Sequence, residues 1–465
     1  MRRTITTLIF LAVGGLTCAS HAAEDSRGYY ASGQSTYRIS DDDDGPAANA
    51  SQSGVAKAGG QPQQSGQEKN ALYVAERGAV GNDVLQASFF DNGGNCCQNN
   101  CGCGQNTCLS DCCDSDCSTN VFRLEWLGWF TRGRNTPPLV TTSDGGTART
   151  DAGVVGLSST TVLYGDDKIG TNLRNGLRMT FSHLFNDGLT TGTVRFWGIE
   201  DGSETFATTS ADFPIIGRPF FNGLLGQNDA FLVAFPGVTG PGSIRVRSKN
   251  DLIGLDAWGS RNWYSDCCSS IDILAGYQFA RLDDSITIDS LSTSVDPGAV
   301  LPVGSTIGIF DSFRTRNEFH GGSLGLIGRS YRGAITLEGL FKLGLGNMHQ
   351  TVITNGNTTI TQPGGPATTS NGGILAQATN SGTFSRDRFN YVPEINANLV
   401  YNINQSWRAT VGYSFIYWNN VVLAGNQIDS NVNLSQTAGP AVPVVKFQRS
   451  DFWVQGISLG GDYRW

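Results

Sequence analysis

From Val121 onward the chain alternates between apolar and polar positions. In VFRLEWLGWFT, Phe122, Leu124, Trp126 and Phe130 share one parity, while Arg123, Glu125 and Thr131 share the other. Leu127 and Trp129 break the pattern. A strand sends successive side chains to opposite faces, so the stretch reads as a two-faced strand. In NGLRMTFSHLF, Leu177, Met179, Phe181 and Phe185 alternate with Arg178, Thr180 and Ser182. In SIDILAGYQFA, Ile271, Ile273, Ala275, Tyr277 and Phe279 alternate with Asp272, Gly276 and Gln278. GAITLEGLFKLG and WRATVGYSFIY repeat the motif, with Glu338 and Lys342 in the first and Arg408 in the second on the polar side.

The pattern predicts strands near 120–131, 175–185, 190–200, 250–261, 270–282, 312–326, 332–346, 387–401, 407–418 and 453–465. At about ten residues or more, they exceed the usual globular strand. A β-sandwich also alternates, but with shorter strands and closer turns. Long strands with one apolar, aromatic-ended face predict an all-β, antiparallel transmembrane barrel. About ten strands are expected, or twelve if the 201–249 connection hides a hairpin. The connections alternate between short (186–189, 262–269, 327–331, 402–406) and long (132–174, 201–249, 283–311, 347–386, 419–452). Outer-membrane barrels place short turns in the periplasm and long loops outside.

The sequence ends in WVQGISLGGDYRW, with Tyr463 and Trp465 on one face. These two residues are the expected signal for the outer-membrane insertion machinery, and outer-membrane lipid is the expected surrounding partner. The oligomeric state stays open.

Composition narrows the class. A formal net charge of -8 gives no basic footprint for nucleic acid. No run of about 18 apolar residues predicts a membrane helix. Two arginines, an apolar run from Ile5 to Leu16 and the ending Ser20-His21-Ala22 read as a signal peptide over 1–22, which would remove Cys18. Residues 23–120 are low in complexity and rich in cysteine, with an acidic run at Asp41–Asp44. Such composition cannot bury enough apolar surface to order itself, so a largely disordered periplasmic extension is expected before the barrel of 121–465.

NCCQNNCGCGQNTCLSDCCDSDC holds Cys96, Cys97, Cys101, Cys103, Cys108, Cys112, Cys113 and Cys117. Cys267 and Cys268 fall in a short connection on the side where the first strand starts. Ten cysteines in an oxidising compartment favour a disulfide system, with at least one bridge from the cluster to Cys267 or Cys268. Adjacent pairs and a C-x-C spacing also suit a thiolate metal cluster, which stays as the alternative.

Several longer stretches resemble a known family. "RPFFN" (Arg218 to Asn222), "LVAFPG" (Leu232 to Gly237), "DSFRTRNEFHGG" (Asp311 to Gly322), "GNMHQ" (Gly346 to Gln350), "ILAQATNSG" (Ile374 to Gly382), "GYSFIYWNNVV" (Gly412 to Val422) and "SDFWVQG" (Ser450 to Gly456) are similar to β-barrel porin family seven. The resemblance covers about 121–465. It implies a bacterial outer-membrane barrel and brings neither a substrate nor catalytic residues.

A barrel of this size has a narrow interior. The expected lumen-lining residues are Arg123, Glu125, Arg178, Arg195, Asp272, Gln278, Arg316, Glu318, Glu338, Lys342, Glu394, Arg408, Asp462 and Arg464. Both charge signs occur, so a salt-bridged filling competes with a conducting lining. The expected function is a narrow channel or a plugged structural barrel with long external loops. A surface adhesin or receptor is the alternative. A rim hydrolase using His349 with Asp311 and Ser312 is a further one. An enzyme is not expected. No phosphate loop, zinc spacing or EF-hand occurs, so neither cofactor nor metal is expected.

Overall fold

The computed structural model describes Tyr37–Arg38 and residues 119–465 except Cys267. Ten long strands form one antiparallel ring. They are β1 (Asn120–Thr131), β2 (Arg174–Leu184), β3 (Thr190–Thr209), β4 (Ser243–Ser265) and β5 (Ser269–Thr293), then β6 (Thr306–Arg332), β7 (Ile335–Thr361), β8 (Gly382–Asn402), β9 (Trp407–Val422) and β10 (Arg449–Arg464). Each pairs with the next, and β10 returns to β1 from Val454↔Thr131 to Arg464↔Val121. Closure leaves no free edge where lipid could not satisfy the backbone. The all-β antiparallel barrel expected from alternation is therefore the fold, with ten strands.

The 201–249 connection does hold a hairpin, Ile216–Asn222 with Gln227–Ala234. It joins a separate small sheet instead of the ring, which is why the ring stays at ten.

Strands β3 to β8 run 20 to 27 residues. About 9–11 suffice to cross a bilayer, so roughly half of each projects past it. The lipid zone is visible on the outer wall. Leu124, Trp126, Leu177, Phe196, Leu255, Ile273, Leu324, Phe341, Ile395, Val411 and Leu459 are all exposed there. A row of polar groups bounds this band toward the long loops: Arg281, Glu318, His349 and Asp387 face one another in register across β5 to β8. At the short-turn end, Trp407, Tyr463 and Trp465 form an aromatic girdle, with ring centroids 4.8 and 5.5 Å apart.

Above the band the long connections fold inward and pack as a head. Val140–Ser143, Thr160–Tyr164 and the 216–234 hairpin form its sheet, and Asn431–Val432 adds a short parallel pair. Leu139, Val140, Ile216, Phe220, Val233 and Val432 pack against Ile244, Val246, Ile286, Ile288 and Phe313 of the upper wall. Four of the long connections thus contribute to one packed core, through 139–169, 216–234, 374–376 and 424–432.

Short turns close the opposite end. Asp187 accepts from the Leu189 and Thr190 backbone N–H groups at 3.0 and 2.9 Å, fixing the turn between β2 and β3. Tyr37–Arg38 pairs in parallel with Phe384–Ser385 of β8, beyond the polar row. This two-residue pair therefore lies on the long-loop side, away from the end where the sequence reading puts all of 23–120. Of the ten cysteines expected in disulfides, only Cys268 falls among the described residues. It sits in the connection between β4 and β5, at the rim where β1 begins, and its carbonyl accepts from Tyr331 N at 2.8 Å.

Candidate functional site

The interior of the barrel is built in layers, because inward positions of neighbouring strands lie at one level. At the short-turn rim, Arg123 donates to Asp462 through Nε and Nη2 at 2.7 and 2.8 Å, and to Glu338 at 2.9 Å. Arg408 meets the same Asp462 at 2.9 Å, and Arg329 meets Asp272 at 2.5 Å. Arg464 is inward and buried beside Asn402.

One level deeper, Arg178 forks onto Glu125 at 2.5 and 2.6 Å and reaches Ser414 at 2.9 Å. Beside it, Arg195 bridges Asp256 and Glu394 at 2.7 and 2.6 Å. Lys342 bridges the same two carboxylates, lying 2.8 Å from Glu394. Both cations face the Trp258 ring, 5.2 and 5.7 Å from its centroid. All four charged groups are at most 5% exposed. Such a network offsets its own desolvation only when every member is paired, as here.

Above the ions comes an apolar layer. Trp129 of β1, Trp197 of β3, Trp418 of β9 and Phe452 of β10 form a chain of rings, with successive centroids 5.5, 6.2 and 6.0 Å apart. Leu127, Phe319, Met348 and Ile416 fill the remainder, each at most 1% exposed. Leu127 and Trp129, which break the alternation of β1, break it to build this layer. Glycine makes the tight fit possible: a Cβ on Gly254 would fall 2.5 Å from Trp197 Nε1.

Above that layer, three wall residues hold the inserted segments. Asp284 accepts from Arg134 and from Ala424 N at 2.9 Å. Asn317 both donates to the Val422 carbonyl and accepts from its N–H, each at 2.8 Å. Asp311 pairs with Arg218 and accepts from Ile374, Leu375 and Ala376 N at 3.3, 3.1 and 2.7 Å. Four of the stretches that carry the family resemblance, RPFFN, DSFRTRNEFHGG, ILAQATNSG and GYSFIYWNNVV, meet in these contacts.

Twelve of the fourteen expected lumen residues point inward: Arg123, Glu125, Arg178, Arg195, Asp272, Gln278, Glu338, Lys342, Glu394, Arg408, Asp462 and Arg464. Arg316 and Glu318 do not. They lie on the outer face of β6, and Arg316 pairs with Asp283 at 2.7 Å. At and above the polar row the outer wall meets water, so polar side chains there face out, and Thr315, Asn317 and Phe319 face in. The strand reading missed Asp256, Trp258 and Arg329, although Asp256 and Trp258 share one parity. Arg134, Arg218 and the 374–376 amides carried no strand signal at all.

The Ser/His/Asp set does not assemble. His349 faces outward and contacts Asp387 at 2.9 Å. Asp311 is inward, and its register partner on β7 is Gly356, seven positions beyond His349, which is roughly 20 Å along a strand. Among the described residues no cluster of metal-ligating side chains occurs.

A family profile described as "Putative beta barrel porin-7 (BBP7)" matches residues 121–465. No curated protein matches the sequence. Among solved structures, the outer membrane protease OmpT from Escherichia coli aligns at 9% identity over 75% of this chain and 97% of that one, with a TM-score of 0.37. The P. putida toluene transporter TodX aligns at 8% identity over 74% and 89%, with a TM-score of 0.17. A TodX deltaS2S3 mutant monoaromatic hydrocarbon channel gives 8%, 75%, 90% and 0.21. At these values neither the protease nor the transporter carries a functional argument.

Proposed function

The chain belongs to the beta barrel porin-7 family of outer-membrane barrels, and from that premise we propose that it works as a closed barrel, not as an open pore. The observation that carries this reading is the apolar layer of Trp129, Trp197, Trp418 and Phe452 across the lumen. Close-packed rings leave no path for hydrated ions. The ion-pair network below and the packed head above support the same reading. The barrel then serves as a rigid outer-membrane platform that holds a folded head on the cell exterior.

Planar-bilayer recording of the purified full chain tests this. No steady unitary current is expected. Reproducible ohmic steps from the wild-type protein would overturn the closed reading.

The cysteines belong to the same proposal. The rim position of Cys268, where β1 begins, supports a tether between 96–117 and the barrel mouth. Non-reducing peptide mapping should find a cross-link from that cluster to Cys267 or Cys268; ten free thiols would refute it.

A further inference from the structure

Below the ion pairs the barrel encloses a cavity of about 890 Å³ that opens between the short turns. In outer-membrane barrels that rim faces the periplasm. Its size suits a small ligand. Arg123, Arg329, Arg408 and Arg464 stand on its wall, together with Asp272 and Glu338.

Hydrogen-bond accounting shows what such a wall lacks. Each guanidinium offers five N–H donors. Arg123 places three of them on Asp462 and Glu338, while Arg408 and Arg329 each reach one carboxylate. Asp462 also accepts from Thr410 and is fully buried, so it has no room for more. Donors therefore outnumber acceptors. Trp258, Ser270, Asn398 and Arg408 line the same cavity, and within that wall Trp258 Nε1, Ser270 Oγ, Asn398 Oδ1 and Arg408 Nε are buried polar atoms with no partner among the described residues. Buried polar groups are rarely left so. Three of these four atoms are donors.

We propose that this pocket binds a small multivalent organic carboxylate from the periplasmic side. The arginine forks grip its carboxylates, the Trp258 N–H donates at the inner end and Ser270 donates near the mouth. Guanidinium forks match carboxylates bidentately, and low-dielectric walls strengthen their field inside a blind pocket. The inference rests on the closed-barrel reading only for that blind inner end.

Isothermal titration of the full chain in detergent, with citrate as probe, tests it. A saturable one-to-one heat is expected, weakening as ionic strength rises. Arg408→Gln should weaken citrate by about tenfold or more, the effect of losing a charge-assisted hydrogen bond. Asp462 keeps Arg123 in that variant, and heat-modifiable gel mobility reports whether it folds. Should it not fold, Trp258→Phe and Ser270→Ala each remove one donor and should weaken binding several-fold. Arg316→Gln on the outer wall should bind as wild type does. Absence of saturable heat, or unchanged affinity in all three pocket variants, would overturn the site. Inorganic phosphate binding as tightly as citrate would overturn the carboxylate assignment. Unitary currents in the bilayer would refute closure without altering the citrate heat, so the two readings fail separately.

Discussion

Asp311 is the wall side chain that takes all three amides of 374–376, so Asp311→Asn is the most informative perturbation. The carboxylate is fully buried and pairs with an Arg218 that is 1% exposed. It also accepts from three consecutive backbone N–H groups, Ile374 to Ala376. Removing one partner of a buried pair costs about 3–5 kcal/mol, because the other charge is left buried. Asparagine keeps one carbonyl acceptor, and Arg218 keeps a contact with Ser290 Oγ at 3.3 Å. The lower end, about 3 kcal/mol, is therefore expected. The loss should appear as local opening, since the ring below has its own ladder of bonds. At 1.4 kcal/mol per decade, the 374–376 amides should exchange roughly a hundredfold faster. Hydrogen–deuterium exchange by mass spectrometry reads this directly. Adding Arg218→Met removes the orphaned charge and should recover part of the protection, giving a coupling between the two sites. Wild-type exchange at 374–376 in Asp311→Asn would refute the latch. The closed lumen should persist in this variant, because the Trp129 layer lies beneath the latch.

Three further outcomes follow from named contacts. Lys342→Met leaves Arg195 alone against Asp256 and Glu394, and should cost about 3–5 kcal/mol in urea unfolding from detergent; a loss under ~1 kcal/mol would show the lysine to be dispensable there. Gly254→Ala forces a methyl against Trp197 and should destabilise by about 1–3 kcal/mol, or displace the indole; a neutral result would mean the layer is loosely packed. Asp187 outside the lipid zone is held below the usual carboxylate range, first by the Thr190 hydroxyl, then by the Thr190 and Leu189 amides. A lowered folded value stabilises above the unfolded pKa and is lost as pH falls through the folded one. Carboxyl NMR should therefore find Asp187 titrating below ordinary aspartates, and Thr190→Ala should move it back up.

Much of the fold was legible in the chain. Alternation named ten strands and the lipid-facing side of most of them, because a pleated strand ties parity to face. The switch between short and long connections gave the two ends of the barrel. Most ionic lumen residues followed, since a charge cannot face the hydrocarbon band.

Parity says which face a residue takes, but not what covers that face. Arg316 and Glu318 were misread for this reason, as above the band water lies outside and packed head lies inside. A hairpin within 201–249 was open only as two further wall strands, and its place in the head instead depends on burying Ile216 and Phe220 against Ile286 and Phe313. The bridge from Arg195 to Glu394 spans 199 positions, and the hold of Asp311 on the 374–376 amides spans two strands and a long connection. No local pattern encodes such pairings; ring closure and inward folding of the long connections bring them together. Local alternation determined the barrel wall, and the tertiary structure decided that its interior is filled. A strand's periodicity is set by its own backbone, whereas the filling comes from segments remote in sequence that desolvate one another.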